Sequence, residues 1–518
     1  MAGASSIFPN RLAPSLGMGY TTRRKQAAPG ERPAGKGAFM RVLEQLEPQG
    51  VFRFFEELCA IPHGSRNCQA VSDWCVEFAK ERGLECHQDQ AGNVIIIQEA
   101  APGYEAAEPV ILQGHLDMVC EKEPGCAKDM AREGLDLLVE DGYVRAKGTT
   151  LGGDDGIAVA MALAILDDQT IPHPRLEVVL TTDEEIGMLG AVALDASPLR
   201  GRKLLNLDSE AEGVFTVSCA GGSMVRCALP VARAAWDGAA LSVTVRGLAG
   251  GHSGTELHKG RANACMALGR VLQAMGEETE LRLVTARGGG KDNAIPMESS
   301  AQVVASDEAA ARQAAEQMAA ALTREYAVAD PVLRVEVTAC EVSETPMDKM
   351  STERAVCMLT CLPNGIQAMS MDIPGLVQTS LNLGILTTEE DSLTATFCVR
   401  SSVGSQKEML HRRLRTLMAQ LGGTVSISGD YPAWEYRQDS SLRDLMTEVF
   451  LEQYGRKPKI EAIHAGVECG ILSGKLPGLD CVSVGPNLLD IHTPRERMEI
   501  ASVQRVWRFV LEVLKRSK

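Results

Sequence analysis

Five carboxylates, two in a loop and three at the end of the next strand, gather within about one strand–helix–strand length between Leu151 and Glu185. Asp154 and Asp155 sit in the loop Leu151-Gly152-Gly153-Asp154-Asp155-Gly156, and Asp183, Glu184 and Glu185 follow as a triplet. The apolar run from Ile157 to Leu166 predicts a helix, and Leu176 to Thr182 predicts a strand that delivers the triplet. Like charges gathered this closely repel one another unless cations or protons intervene. A bound metal is the simplest resolution. A glycine-rich loop before a helix can also cradle phosphate, but two aspartates would repel it and the lysine of a P-loop is missing. A carboxylate shared by two cations about 3.5–4 Å apart suits the loop better.

Further candidates lie outside this stretch. His115 and Asp117 are two apart, so on an extended segment both side chains share a face, as a ligating imidazole and its orienting partner would. Glu184 and Glu185 are adjacent and should point in opposite directions from extended backbone, one toward a metal and one toward a water. His252, His464 and His492 stand in loop-like stretches punctuated by Gly or Pro. His63 and His173, beside prolines, read as structural; His87, His258 and His411 read as surface residues.

The elements that must position these residues alternate. Helices are expected from Val51 to Cys59 and Val71 to Arg82, and strands at Asn93–Gln98, Val110–Leu112 and Leu204–Leu207. Alternation of this kind predicts an α/β fold with a mostly parallel sheet, helices on both faces, and its chemistry at the carboxyl ends of the strands. His115, Glu184, Glu185 and Asp208 all fall there. After Gly221-Gly222 the pattern changes to alternating strands (Leu241–Val245, Val332–Val337, Ser392–Val399) and longer helices (Asn263–Met275, Asp307–Ala327). An α+β domain inserted into the first is expected, able to contain two similar halves. The expected division is a first catalytic part at 40–221, an inserted lid at 222–431 and a second catalytic part at 432–518. Residues 1–39 carry six Lys or Arg against one Glu. They are expected to be a poorly ordered extension, with a transit peptide as the other reading and Met40 as a candidate start.

Composition narrows the function. A chain of 518 residues needs more than one core. Its net charge of −16 argues against a nucleic-acid binder, and no apolar run reaches the ~20 residues of a membrane span. Fifteen cysteines without a CxxC pair fit a reducing, cytoplasmic setting; Cys357 and Cys361, four apart, read as helical core packing.

The chain contains the strings Gln113-Gly114-His115-Leu116-Asp117, Gly152-Gly153-Asp154-Asp155-Gly156, Asp183-Glu184-Glu185-Ile186-Gly187, Asn206-Leu207-Asp208-Ser209-Glu210, Ala249-Gly250-Gly251-His252-Ser253-Gly254, Asn293-Ala294-Ile295-Pro296, His464-Ala465-Gly466-Val467-Glu468-Cys469-Gly470 and Gly485-Pro486 with His492-Thr493-Pro494. Together these strings resemble the M20 family of dinuclear zinc peptidases, most of all its aminoacyl-histidine dipeptidase branch. They run in order from about residue 45 to the end. The resemblance implies hydrolysis of dipeptides, Xaa-His and others, at two divalent ions per chain. Zinc is the expected metal, although such ligands also accept manganese or cobalt. His115 and Asp208 would hold one ion, Glu185 and His492 the other, and Asp154 would bridge them. Glu184 would be the general base for a metal-bridging water, with Asp117 orienting His115. His252 would stabilise the oxyanion, in this family often from a partner subunit or after closure. Asn293, Arg400, His464 and Glu468 would grip the dipeptide termini, and a homodimer through the lid is expected. The branch often has Asp-Asn where this chain has Asp154-Asp155, an extra carboxylate that bears on metal preference or pH optimum. Competing expectations are a deacylase or aminoacylase using the same metals on N-acyl amino acids, and a non-catalytic binding protein of the same fold.

Overall fold

The computed structural model describes residues 41–518; the expectations for 1–39 lie outside them. The first sheet has eight strands in the order Glu85–Gln88, Val94–Gln98, Leu176–Thr181, Val110–His115, Lys203–Asn206, Asp480–Ser483, Val214–Cys219, Lys459–Ile463. Leu176–Thr181, Val110–His115, Lys203–Asn206 and Asp480–Ser483 form a continuous parallel centre. Antiparallel pairings attach the two strands on the Glu85 side and join Asp480–Ser483 to Val214–Cys219. The sheet is therefore mixed, with the expected parallel order where it matters.

Both faces are covered, which is why the central strands are buried throughout and mostly apolar rather than alternating. Val94, Ile96, Val110, Leu112, Val178 and Leu205 face one core, against the helices Gln49–Cys59, Gly153–Asp167 and Ile500–Arg516. Ile95, Ile97, Ile111, Val179 and Leu204 face the other, with Leu472 of the helix Glu468–Lys475. Successive residues divide between the faces because side chains alternate along a strand. The helix Gly153–Asp167 is buried along its whole length from Gly156 to Leu166. It lies between the helix Gln49–Cys59 and the strand Val110–His115, so it has no solvent face to make polar.

A second sheet follows its own core. Its main path runs Arg334–Ala339, Ala239–Arg246, Ser299–Ala305, Leu281–Gly288, Val377–Thr388, Ser392–Ser401, Gly221–Pro230, Thr424–Tyr431, and Gly365–Met369 pairs beside it with Val377–Thr388. It consists of two halves with the same plan: strand, helix, two strands, helix, strand, in the spatial order 4-1-3-2. One half uses the helices Ala264–Glu278 and Glu308–Glu325, the other Lys349–Cys361 and Gly404–Gln420. They meet through their second strands at Arg287–Thr387 and Gly288–Leu386. The whole of the first half is inserted between the first strand and first helix of the second.

The chain passes between the sheets at Ala220 and returns at Pro432–Trp434, where Cys219 and Trp434 exchange backbone hydrogen bonds of 3.0 and 3.1 Å. The crossings are too close for side chains. A Cβ on Gly221 would stand 2.5 Å from the Ala433 nitrogen, and one on Gly222 would meet the Tyr431 hydroxyl at 2.4 Å.

Candidate active site

Parallel strands present their carboxyl ends on one edge, and three of them carry acid or imidazole there. His115 ends its strand, Asp208 follows Asn206, and Asp183 to Glu185 follow Thr181. The fourth contribution is the loop into the helix Gly153–Asp167. Its amides from Leu151, Gly152, Gly153 and Asp154 all point at the Glu496 carboxylate, at 2.8, 3.1, 2.8 and 3.4 Å. A helix start leaves such N–H groups without helical partners, and a buried carboxylate answers them. Burial holds Glu496 above the ordinary carboxylate range. Nothing in the sequence marked this residue beyond its place four positions after His492.

The result is a compact cluster. Asp154 lies between two imidazoles, Oδ1 at 3.2 Å from His115 Nε2 and Oδ2 at 3.2 Å from His492 Nε2. His115 Nε2 is 3.7 Å from Asp208, and His492 Nε2 is 2.9 Å from Glu185. Two sets of potential ligands follow, His115 with Asp154 and Asp208, and Asp154 with Glu185 and His492, each with ligand atoms within 4.8 Å of one another. A third set joins His115, Glu184 and Glu185. Glu184 and Glu185 therefore converge, contrary to the expectation that they diverge. The backbone is not extended here: Asp183 has φ of 54°, and the Gly187 and Met188 amides turn back onto the Glu184 carbonyl at 2.9 and 2.7 Å.

Asp117 organises that turn. Its Oδ1 accepts the Glu184 amide at 2.9 Å and its Oδ2 the Glu185 amide at 3.3 Å and the Ser65 hydroxyl at 2.8 Å. His115 Nδ1 contacts the Asp117 backbone carbonyl at 2.9 Å, with the carboxylate at 3.6 Å. A proton on Nδ1 shared with that carbonyl leaves Nε2 free to face Asp154 and Asp208.

Charge in the cluster is strongly perturbed. Burial opposes ionisation of Asp154, yet hydrogen bonds from His115 and His492 outweigh it and hold this carboxyl below its usual range. Burial and the neighbouring Asp155, Asp154 and Glu184 push Asp208 well up. Burial, then Glu468, Glu185 and Asp154, push Glu184 up to about 8. Contacts with Asp154 and Glu185 raise His492 to about 10. For His115, burial is overcome by Asp117 and Asp154, and the imidazole titrates well above its ordinary range. Asp155 is turned away from this cluster: it is buried, its Oδ2 accepts the His115 amide at 3.1 Å, and burial pushes its carboxyl well up.

A second, cationic group lies on the other sheet. Arg400 is 9% exposed, has no ion pair among the described residues, and leaves its Nε unpartnered; it donates a hydrogen bond to the Tyr431 hydroxyl at 3.4 Å. Burial and Arg400 lower both His252 and His464, the latter to about 3. His464 Nε2 contacts the Ser380 hydroxyl at 2.7 Å, and its Nδ1 is buried without a partner. His252 Nδ1 accepts the amides of Gly254 and Thr255 at 3.2 and 3.3 Å, which puts the ring proton on Nε2. Asn293 lies beside it, its carbonyl accepting the Ser253 amide at 2.9 Å. Residues 464–468 connect the two groups. At their far end Glu468 is fully buried, with Oε2 taking hydrogen bonds of 2.6 Å from Gln113 and Thr181 and Oε1 unpartnered. Burial lifts it to about 7. Tyr431 and Ser380 were not anticipated from sequence, since neither stands in a recognisable string. Of the three histidines expected at the surface, His411 is instead buried between the Ser223 hydroxyl at 2.7 Å and Glu408 at 3.1 Å.

The family described as Peptidase family M20/M25/M40 matches residues 111–516. The chain is 35% identical over 480 residues to the cytosol non-specific dipeptidase of Escherichia coli (strain K12), across 92% of this chain and 99% of that one. Its structure is similar to that of aminoacylhistidine dipeptidase from Vibrio alginolyticus, with a TM-score of 0.87, 35% identity, and coverage of 91% of this chain and 97% of that one. Aminopeptidase PepT from Bacillus cereus, 16% identical with a TM-score of 0.53 over 91% of this chain and 99% of that one, shares the fold. A family match across most of the chain, together with a relative of this identity along nearly its whole length, means that the protein belongs to peptidase family M20/M25/M40.

Proposed function

We propose that this chain is a dinuclear metallodipeptidase that hydrolyses dipeptides, Xaa-His among them. The observation that carries this reading is the sharing of Asp154 by two ligand sets. The donors suit divalent ions, being carboxylates and imidazole nitrogens, and burial together with the neighbouring carboxylates raises Asp208 and Glu184 above the ordinary carboxylate range, a cost that cations would relieve. His115, Asp154 and Asp208 would hold one ion and Asp154, Glu185 and His492 the other, with zinc as the metal of choice. When bound, the pair would polarise the scissile carbonyl and make water a stronger nucleophile at neutral pH.

The chain's own groups do the rest. With cations bound beside it Glu184 would be ionised, and so able to take a proton from the attacking water and return it to the leaving nitrogen. Asp117 keeps the Glu184 turn and the His115 ring in place. The Nε2–H of His252 is available to the developing oxyanion. Arg400, an unpaired buried cation, receives the substrate's carboxylate, and Asn293, His464 and the unpartnered Oε1 of Glu468 complete the grip on the dipeptide ends.

The two sheets are read as a catalytic domain, 40–221 and 432–518, and an inserted lid, 222–431. The crossings at Ala220 and Pro432–Trp434 support that division. The lid bears exposed apolar side chains, among them Val328, Val332, Met369 and Met371, which support a homodimer formed through it. Among the described residues no helix is long and apolar enough to cross a membrane. With the name of the Escherichia coli relative, this supports a cytoplasmic enzyme.

The test is a substrate panel of Xaa-His dipeptides, other dipeptides, a tripeptide and N-acetyl amino acids, run after metal removal and after zinc or manganese re-addition. Metal-dependent cleavage of dipeptides that Glu184→Gln abolishes is the expected result. Turnover of N-acetyl amino acids alone would make the protein a deacylase, and no turnover with metal bound would make it a binding protein.

A further inference from the structure

The helix Lys349–Cys361 buries Ala355, Met358 and Leu359 in the core of the second sheet. Cys357 and Cys361, one turn apart, are not part of that core: the first is half-buried and the second exposed. The core-packing expectation for this pair therefore fails. Both line a cavity of about 680 Å³ between this helix and the carboxyl end of the helix Ala264–Glu278. Glu353, one turn earlier on the same helical face, lines it too. The two sulfurs are 3.7 Å apart.

Two chemistries compete for such a pair. A disulfide needs Cβ atoms about 3.5–4.5 Å apart, whereas residues four apart on a helix hold theirs at about 5–6 Å, so the bond would unwind the last turn. A tetrahedral ion at the usual zinc–sulfur length of about 2.3 Å sets two of its thiolates about 3.8 Å apart. The observed separation meets that requirement with the helix intact. The surroundings favour a cation as well, since Glu277, Glu278, Glu280 and Glu353 outnumber Lys349 and Arg282 around the cavity.

We propose that Cys357 and Cys361 form a two-thiolate grip for a soft divalent cation of the zinc and cadmium class, with solvent in its remaining positions. Binding forms two sulfur–metal bonds and releases the two thiol protons to water. The site is separate from the carboxylate–imidazole cluster, whose ligand sets contain no sulfur. The other close thiol pair, Cys469 and Cys481 with sulfurs 3.2 Å apart, is enclosed in a hydrophobic core and offers no opening of this kind.

Cadmium titration of the reduced, zinc-loaded, full-length protein tests this, followed by the near-ultraviolet sulfur-to-cadmium charge-transfer band. The band reads thiolate ligands alone, so cadmium exchanging into the carboxylate–imidazole cluster does not contribute. The expected result is a band that saturates at one equivalent and is lost in both Cys357→Ser and Cys361→Ser. Hydrolytic activity should be unchanged in both variants, which also shows that they fold. A wild-type protein without the band, or a band that survives the double substitution at full amplitude, would overturn the proposal.

Discussion

Asp117 accepts the backbone amide of Glu184 at 2.9 Å, so the carboxylate of the His-x-Asp string acts on the peptide chain that carries the proposed base. Its link to His115 runs mainly through its own main-chain carbonyl. Asp117→Ala should therefore leave the His115 contact largely intact while freeing the Glu184–Glu185 turn. The expected loss in kcat is roughly 10- to 100-fold, the range seen when groups supporting a metal site are removed. Steady-state kinetics on metal-loaded protein would read it; an unchanged kcat would mean that the turn holds itself.

Glu496 gathers four amides at the start of the helix Gly153–Asp167. In Glu496→Gln one oxygen becomes an NH2 group that faces donors rather than accepting from them. The expected cost is about 1–3 kcal/mol of folding stability. Metal affinity should fall with it, because the loop positions Asp154. Denaturant unfolding alongside chelator competition would measure both, and a variant equal to wild type in each would contradict the cradle.

Metal affinity should rise with pH. His492 titrates near 10 and His115 well above its ordinary range, while a metal ion binds only neutral imidazole. Each ion must therefore displace protons at neutral pH, and affinity falls on acidification and keeps climbing toward about pH 10. Calorimetry in buffers of different ionisation enthalpy would count the released protons. Affinity that does not change with pH would be inconsistent with these shifts.

Arg400→Met should raise KM for dipeptides by about 30- to 100-fold, corresponding to ~2–3 kcal/mol for a charge-assisted hydrogen bond, with a smaller change in kcat. Dipeptide amides, which lack the carboxylate, should bind the variant and wild type alike. A variant that loses amide binding equally would point to a structural role for the arginine.

His464 ties the fold to neutral pH. Its folded pKa of about 3 lies below the ordinary 6.5, so as pH falls through 6.5 the unfolded chain takes up a proton that the folded chain refuses. Stability contributed by the neutral ring is present above 6.5 and declines toward 3, by about 1.4 kcal/mol per pH unit. His464→Asn should flatten the acid limb of the stability curve, measured by urea unfolding at a series of pH values. An unaltered slope would show that other groups carry it.

Much of the catalytic cluster could be read in advance because its residues stand at the ends of apolar strands, and strand ends announce themselves by an abrupt change from Val, Leu and Ile to acid or imidazole. Hidden from such reading was whatever depends on backbone direction after the strand. The left-handed Asp183 swings Glu184 and Glu185 onto the same side, and no side-chain pattern records that. Glu496 and Tyr431 act on partners hundreds or tens of positions away through contacts that exist only once the chain is folded. His411 looked solvated because Arg412 and Arg413 follow it, yet those two are exposed while His411 shares a buried face with Leu410 and Leu414. In the second sheet, Leu281–Gly288 and Val377–Thr388 are buried on both sides for much of their length, which removes the alternation that would have marked them.

The way the second sheet is threaded has a consequence for how the molecule comes into being. Its first half sits wholly inside its second, and the second sits wholly inside the catalytic sheet, whose strands Val214–Cys219 and Lys459–Ile463 pair across the entire interruption. Joining distant segments costs chain entropy, and that cost drops when the intervening chain is already compact with its ends close together. The innermost half, built from contacts near in sequence, is thus the natural first structure to form. Each closure then shortens the loop for the next, and the catalytic cluster is the last thing completed. His492 reaches Asp154 only when the carboxyl-terminal segment has arrived, so of the two ligand sets that share Asp154 the one with Glu185 and His492 is the later to form.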